Sequence, residues 1–297
     1  MQRITLLDGG TGRELKRIGA PFRQPEWSAL ALIEAPQFVT RVHEAYVEAG
    51  ADVITTNSYA VVPFHLGAGR HAADGLRLAA LSGTLAHDVA AKSPRPVLVA
   101  GSLPPVCGSD RADLFDAAIA RPLLQTIVDG LRPSVDHWQG ETLSAIEEAD
   151  LIRAVVGQDG KPLWLSFTLA DGHLAAEAPR LRSGESVEDA VRAAVRLGAA
   201  AVLFNCSQPE VMGAAVTIAR DLLATLAPNV QIGVYANAFP PQRADADANA
   251  DLLEIRADLT PAGYLGWARD WVARGASIIG GCCGIGPEHI AALRAAL

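Results

Sequence analysis

The chain has 297 residues, of which 50% are hydrophobic and 20% are charged, and its net charge is −8. This is the composition of a globular protein with one large domain or two small ones. The negative charge argues against nucleic acid or an anionic membrane as the main partner, and no apolar run approaches the roughly 20 residues that a membrane-spanning helix needs.

Cysteine usage and the start of the chain indicate where the protein works. Four cysteines in so long a chain, two of them adjacent, do not make a disulfide framework. Asp8 follows the first residue too closely for a secretory signal. We therefore expect a cytoplasmic protein with reduced thiols.

Short runs rich in β-branched residues or leucine alternate with longer runs rich in Ala, Leu, Arg and Glu, which is typical of repeated βα units. The predicted strands are 4–7, 52–56, 96–100, 135–139, 162–168, 200–204, 230–235 and 276–279. The predicted helices are 36–49, 72–91, 115–131, 143–156, 187–197, 209–226 and 261–274, with a last helix that begins at Pro287.

Eight βα units in about 300 residues predict a single (β/α)8 TIM barrel that spans 1–297 as one domain. The alternative, a doubly wound sheet, usually has fewer units and a glycine-rich phosphate turn after its first strand. The turn after the first predicted strand, 8–12, lacks the G-x-G-x-x-G spacing. We therefore favour the barrel.

Two long loops are predicted on one rim of the barrel, 171–185 after the fifth strand and 238–258 after the seventh. The second contains a run rich in alanine and aspartate, 243–251. Loops this long are often lids. A solvated surface insertion fits equally well, because such a run has nothing to bury, and both interpretations stay open.

The active site of such a barrel forms at the carboxyl ends of its strands. Almost every predicted strand ends in polar or thiol groups: Asp8, Asn57, Tyr59, Ser102, Glu141, Thr168, Asn205, Cys206, Asn237, Cys282 and Cys283. Cys206 follows strand six, and the cysteine pair follows strand eight. Because these two ends lie one strand apart on the same circle, we expect three thiols to converge.

Three converging thiolates favour a soft metal, of which zinc fits best. Three protein ligands leave one tetrahedral position open, as in catalytic zinc sites. The alternative is three buried cysteines without a common role. Cys107 lies in a Pro- and Gly-containing loop without a partner in the sequence and is interpreted as a spectator.

These motifs resemble the homocysteine S-methyltransferase family over essentially the whole chain. The resemblance rests on 7–12, 52–59, 140–143, 205–206 and 280–284, and the two cysteine motifs are its most specific part. It implies a (β/α)8 barrel with zinc held by Cys206, Cys282 and Cys283. It also implies that homocysteine binds to that zinc through its sulfur.

The resemblance further implies how the amino acid is held. The amino group of homocysteine is expected on Asp8 and Glu141, and its carboxylate on backbone amides around Gly9 and Gly10. An ammonium suits carboxylates, and free N–H groups suit a carboxylate. Asn205 and Tyr59 are also predicted to be substrate-binding residues, and Tyr59 matches a family tyrosine near the metal.

The methyl donor is less well defined by the resemblance. Methyl-folate enzymes with this domain also carry folate and cobalamin modules, for which 297 residues leave no room. Betaine, S-methylmethionine and S-adenosylmethionine remain, and each carries a cationic methylated centre that Tyr59, Phe64 or Trp138 could face. The chain looks closer to the branch that uses S-methylmethionine. Selenocysteine-type or other small thiols remain possible acceptors.

Two other functional classes fit the sequence less well. A barrel hydrolase or lyase would use Glu141 and His137 as acid and base, but it leaves the cysteines at most a structural zinc, and no lysine ends a strand to form a Schiff base. A non-catalytic zinc scaffold normally needs four protein ligands, and no fourth is evident. The sequence predicts small-molecule substrates, and it does not determine the oligomeric state.

Overall fold

The computed structural model describes residues 3–172, 176–241 and 254–297. Its parallel strands are β1 Thr5–Leu6, β2 Val53–Thr55, β3 Leu98–Leu103, β4 His137–Leu143, β5 Leu163–Phe167, β6 Ala201–Asn205, β7 Gln231–Tyr235 and β8 Ile278–Ile279. Each strand from β2 to β7 pairs with the next one along the chain, and β1 pairs with β8. A parallel bridge between Leu7 and Val53 joins β1 to β2, so the predicted (β/α)8 barrel is confirmed.

The helices surround this sheet. They are α1 Thr11–Arg17, α2 Ser28–Glu34, α3 Pro36–Ala49, α4 Pro63–Leu66, α5 Ala68–Lys92, α6 Ala117–Leu131, α7 Ile146–Val156, α8 Val187–Arg196, α9 Pro209–Leu226, α10 Pro261–Arg274 and α11 Pro287–Ala296. The bounds of α3, α9 and α10 agree with the predicted ones. Each of these three begins with proline at its first turn, where the missing N–H costs no hydrogen bond.

Two apolar clusters hold the barrel together. The smaller one fills the barrel interior with side chains from alternate strand positions: Leu7, Val53, Ala100, Trp164, Ala201, Leu203, Tyr235 and Ile278. The larger one lies between the sheet and the helices. Cys282 packs on the interior cluster, so the predicted thiol site lies directly on top of the barrel core.

The structure corrects the prediction around the fourth strand. β4 continues through Glu141 to Leu143, and its pairing with β5 shifts register between Gly140 and Leu143. The helix predicted over 143–156 begins only at Ile146. The Glu148 carboxylate accepts the N–H groups of Ser144 (2.6 Å) and Ala145 (3.1 Å), which fixes the start of α7.

Other differences concern short elements and loops. The sequence predicts no helix at α1, α2 or α4, which are only four to seven residues long. Parts of both predicted long loops, 173–175 and 242–253, lie outside the described residues, and the Ala- and Asp-rich run is among them. No helix in the described ranges combines the length and the apolar character that crossing a membrane requires.

Candidate active site

A cleft of about 1130 Å³, including its open mouth, lies at the carboxyl ends of the strands. Its lining comes from the carboxyl ends of seven of the eight strands and the segments that follow them: 7–12, 55–57, Tyr59, 109–110, Gln139, 141–142, Cys206, Tyr235, Asn237, Phe239 and 281–283. Trp27 and Ser28 complete it. The cleft therefore occupies the position at which barrel enzymes carry their active sites.

Three thiols meet in this cleft. The sulfur atoms of Cys206, Cys282 and Cys283 all lie within 4.8 Å of one another, as the order of the strands predicts. The hydrogen bonds from Cys206 and Cys282 hold the pKa of Cys283 well below its usual range. The contact with Cys206 raises the pKa of Cys282 well above its usual range. Side by side, three thiols do not all ionise without a cation.

This cluster fits a zinc ion. Three thiolates on tetrahedral zinc, each about 2.3 Å from the metal, lie about 3.8 Å apart, so the observed sulfur positions need only a small contraction. No other His, Cys, Asp or Glu joins the cluster among residues 3–172, 176–241 and 254–297. The donor set is therefore that of a catalytic site with one open position rather than that of a structural site.

A turn after β7 ties the two cysteine segments together. Asn237 donates its side-chain amide to the Cys206 carbonyl at 2.9 Å. The N–H of Cys282 donates to the Ala236 carbonyl at 2.9 Å, and the N–H of Ala238 donates to the Cys283 carbonyl at 2.8 Å. Asn237 is one of the predicted strand-end residues, but the sequence assigns it no role. Its position between the two motifs shows that it holds them in register.

The glycine turn after β1 packs directly on the cysteine pair. A Cβ atom on Gly10 would lie 2.7 Å from the Cys282 carbonyl oxygen and 3.0 Å from the Cys283 Cα, and one on Gly9 would lie 2.2 Å from the Ile285 carbonyl oxygen. The N–H of Gly10 donates to that Ile285 carbonyl at 3.0 Å. Gly10 is therefore a close-packing position, and the predicted carboxylate contact rests on Gly9.

Asp8 and Glu141 are brought together on the wall of the cleft. Both oxygens of Asp8 accept hydrogen bonds from Thr55, one from its N–H (2.7 Å) and one from its hydroxyl (3.0 Å). Burial raises the pKa of Asp8 to about 7, and the charge of Glu141 adds to the shift. Two buried carboxylates on one wall of a cleft form a good binding site for one cation.

Glu141 is oriented by three side chains. Its Oε1 accepts the Ser102 hydroxyl, and its Oε2 accepts the Tyr235 hydroxyl at 3.3 Å and the Gln139 amide at 3.5 Å. Burial raises its pKa to about 7 despite these donors, and Cys206 adds to the shift. Ser102 is one of the predicted strand-end residues. Gln139 and Tyr235 can be placed in the site from the sequence only by noting which positions of their strands face the barrel interior.

Asn205 supports the site from behind. Its side-chain oxygen accepts the Thr142 N–H (3.0 Å) and the Ser166 hydroxyl (2.8 Å), and its side-chain nitrogen donates to the Thr142 hydroxyl (2.9 Å). The side chain is fully buried. These bonds hold the turn after Glu141, and direct contact between Asn205 and a substrate stays a prediction.

Backbone strain is concentrated in the cleft. Four non-glycine residues in the described ranges have positive φ angles: Trp27 (51°), Asp110 (63°), Thr142 (58°) and Cys206 (55°). All four line the cleft. Such conformations cost free energy and persist where the surroundings impose them, which is common at functional sites. Trp27, Asp110 and Thr142 carry no signal of this kind in the sequence.

The aromatic lining differs from the prediction. Tyr59 lies in the cleft, its hydroxyl 2.6 Å from that of Ser109, and burial, followed by the charge of Cys206, raises its pKa well above the usual range. Phe64 and Trp138 do not reach the cleft, because Phe64 is 38% exposed beside His65 and Trp138 is buried under Arg132 on the outer side of the barrel. Instead, Trp27, Tyr235 and Phe239 complete the aromatic lining.

The position of His137 argues against the alternative of a hydrolase or lyase that uses Glu141 and His137 as acid and base. His137 lies below the cleft, is fully buried and packs on Trp164 with the ring centroids 4.1 Å apart. Burial lowers its pKa to about 4, and it is not part of the cleft lining. Cys107 also lies outside the lining, with its sulfur 3.9 Å from the Asp116 carbonyl, as expected for a spectator.

We predict that Glu141→Gln stabilises the metal-free and substrate-free protein at pH 8. The pKa of Glu141 is about 7 in the folded chain and about 4.3 in an unfolded one. The folded state therefore binds more protons between these values, and the stability from this group is present below about pH 4 and lost as pH rises through about 7. The amide avoids this loss, which is on the order of 3 kcal/mol at pH 8.

Urea unfolding at pH 5 and pH 8 measures this difference. The free energy of unfolding of the variant should exceed that of the wild type by much more at pH 8 than at pH 5. Equal gains at the two pH values would mean that Glu141 does not titrate between them.

Comparison with known proteins agrees with the geometry of the cleft. A family model described as homocysteine S-methyltransferase matches residues 5–297. The homocysteine S-methyltransferase of Escherichia coli is 32% identical, covering 99% of this chain and 95% of that protein. The selenocysteine methyltransferase of Astragalus bisulcatus is 26% identical, covering 97% of this chain and 90% of that protein.

A solved structure extends the likeness to three dimensions. The crystal structure of the homocysteine methyltransferase MmuM from Escherichia coli, in its metallated form, superposes with a TM-score of 0.78 at 28% identity. The superposition covers 99% of this chain and 96% of that one. The family match includes the whole cleft lining, from Leu7 to Cys283.

Proposed function

Because the chain belongs to the homocysteine S-methyltransferase family, we propose that it transfers a methyl group from a sulfonium donor to homocysteine, giving methionine, with zinc held by Cys206, Cys282 and Cys283. The observation that carries the proposal is the convergence of these three sulfur atoms in the cleft that also holds Asp8 and Glu141. The alternatives on the same site are a betaine donor and another small thiol as acceptor.

The three cysteines supply the reactivity of the acceptor. Zinc bound to them would lower the pKa of the homocysteine thiol, about 8.5 when free, so that a thiolate is present at neutral pH. The proton leaves to solvent. The pair Cys282 and Cys283 is held by the turn at 236–238 and by Gly10, so the thiols that would hold the metal are already positioned in the cleft.

Asp8 and Glu141 orient the acceptor. Their two carboxylates bind the ammonium of homocysteine, since a buried pair gains most from a cation between them. Thr55 fixes Asp8, while Ser102, Gln139 and Tyr235 fix Glu141. The carboxylate of homocysteine is assigned to the N–H of Gly9, which lines the cleft.

The donor occupies the aromatic part of the cleft, where Trp27, Tyr59 and Phe239 can face its positive centre. The thiolate lone pair forms the new S–CH3 bond, and the electrons of the old bond remain on the donor sulfur. With S-methylmethionine, the products are two molecules of methionine and one proton. The chain contributes mainly by placing the two sulfur atoms in line and excluding water.

Incubation of the zinc-loaded protein with homocysteine and one donor at a time tests this proposal. S-methylmethionine, S-adenosylmethionine or both should give methionine, whereas betaine should not. Product from betaine alone would overturn the sulfonium assignment, and no product from any donor would overturn the function. Selenocysteine in place of homocysteine tests the acceptor, because a relative is a selenocysteine methyltransferase.

The acceptor site should also make the reaction pH-dependent. Asp8 and Glu141 have pKa values of about 7 in the free protein, so they protonate as pH falls and lose the charge that binds an ammonium. We expect kcat/KM for homocysteine to fall at least about 10-fold from pH 8 to pH 6, because this parameter reports groups of the free enzyme. A profile for Glu141→Gln that matches the wild type would contradict the assignment.

A further inference from the structure

Asp110 is a second acidic position in the cleft, separate from Asp8 and Glu141. It lies in the loop after β3, next to Ser109, which bonds Tyr59. Its main charged neighbours are Arg182, Cys206 and Asp171, whereas Asp8 has Glu141 as its main charged neighbour. The cleft therefore presents negative charge at two places.

Buried groups hold Asp110 in position. Arg182 is 5% exposed and lies between two carboxylates, with its Nε 3.1 Å from Asp110 Oδ1 and its Nη2 3.3 Å from Asp171 Oδ2. Asp171 is 1% exposed and accepts the Gln208 N–H at 2.9 Å. The trio has a net charge of −1 when all three groups are ionised. Arg182 is not part of the cleft lining, so only the carboxylate of Asp110 faces a ligand.

Asp110 retains binding capacity. Its backbone has φ 63°, a conformation that aspartate tolerates but that still costs free energy. Its Oδ1 is buried beside Arg182 Nε, but 15% of the side chain is still exposed, and the residue lines the cleft. A carboxylate has two oxygens, so the ion pair with Arg182 leaves acceptor capacity for a ligand. The strained backbone and the exposed part of this carboxylate together point to a donor group on a bound molecule.

The chemistry of the reaction selects that group. The sulfonium loses its positive charge during methyl transfer, so a carboxylate beside it would stabilise the reactants more than the transition state. An ammonium keeps its charge throughout, and binding it does not penalise the chemical step. Glu141, Asp110 and Cys206 all line the same cleft, so both acidic positions border the space in which the two substrates would meet.

From this arrangement we infer that Asp110 binds the α-ammonium group of the methyl donor and makes the cleft specific for amino-acid sulfonium compounds. The inference rests on the proposed function. Arg182 is the positioning residue that fixes the Asp110 carboxylate. Betaine and simple sulfonium compounds lack a protonated amine and gain nothing from this contact.

Steady-state kinetics of wild type and Asp110→Asn test the inference, with zinc-loaded protein and saturating homocysteine. The donors are S-methylmethionine, its N-acetyl derivative and dimethylsulfoniopropionate, the last two without a charged amine. For S-methylmethionine, the variant should raise KM about 10- to 100-fold, as expected for a hydrogen bond between charged groups, and leave kcat within about threefold. For each of the other two donors, the KM of the variant should equal the KM of the wild type.

Asp113→Asn is the matched control, because Asp113 lies in the same loop but is 64% exposed and pairs with Arg111. It should behave as the wild type with all donors. A KM that rises equally for all three donors, or not at all for S-methylmethionine, overturns the inference.

The wild type alone provides a second test that does not depend on the folding of a variant. It should prefer S-methylmethionine to the N-acetyl derivative by about 100-fold in kcat/KM, the size expected for one hydrogen bond between charged groups. Equal use of the two donors overturns the inference while the proposed function stands. No methionine from any donor overturns both.

Discussion

Cys206→Ser and Cys283→Ser are each expected to lose the zinc and to lower methyl transfer at least about 1,000-fold. Two thiolates remain in either variant, and a serine hydroxyl does not ionise near neutral pH, so the donor set falls below the three protein ligands of catalytic zinc sites. The measurements are the zinc content after gel filtration and the rate of methionine formation at saturating homocysteine and donor.

Cys107→Ser is the control, because Cys107 lies outside the cleft. It should keep about one zinc per chain and wild-type activity. The double variant Cys282→Ser/Cys283→Ser should bind no zinc above background. Full zinc retention in that double variant would mean that the metal, if present, is held elsewhere.

Asp8→Asn and Glu141→Gln are each expected to lower kcat/KM for homocysteine about 100- to 1,000-fold, because truncating one side of a buried charge pair costs 2 kcal/mol or more. The amide oxygens can still accept from Thr55 and Ser102, so the fold of the site should survive. Each variant loses one of the two negative charges that are proposed to bind the ammonium.

The acceptor 4-mercaptobutanoate, which is homocysteine without its amino group, separates this loss from a general disturbance. Both variants should use it as well as the wild type does. Glu148→Gln is a matched control, since Glu148 is also buried with a pKa raised to about 7 by burial but bonds the start of α7. A loss of the same size with both acceptors would show that Asp8 and Glu141 do not bind the ammonium group of homocysteine.

Much of the site follows from counting strands. Strand order alone brings Cys206 close to Cys282 and Cys283, because parallel strands in a barrel end on one circle. The same order brings Asp8 and Glu141 to that rim. Helix bounds at Pro36, Pro209 and Pro261 followed from local signals at the first turn of each helix.

The features that the sequence does not predict depend on contacts between residues that are far apart in the chain. The register shift after Gly140 is fixed by Asn205, 63 residues beyond Thr142. Asp110 is placed by Arg182, and the N–H of Gly10 is taken by Ile285. No local pattern encodes such pairs.

The sequence itself argues against the prediction that Trp138 faces the methyl donor. Glu141 faces the barrel interior, and side chains on a strand alternate between faces. Trp138, an odd number of positions away, therefore faces the helices rather than the cleft. The same alternation places Gln139 on the inner face with Glu141, where the structure has it.

The proposed function depends on Cys206, Cys282 and Cys283 holding a zinc ion to which the homocysteine sulfur can bind. X-ray absorption at the zinc edge measures the ligands directly. We expect three sulfur neighbours in the substrate-free protein and four after homocysteine is added, with no change on adding methionine. Fewer than three sulfur neighbours, or a count that homocysteine leaves unchanged, would contradict it.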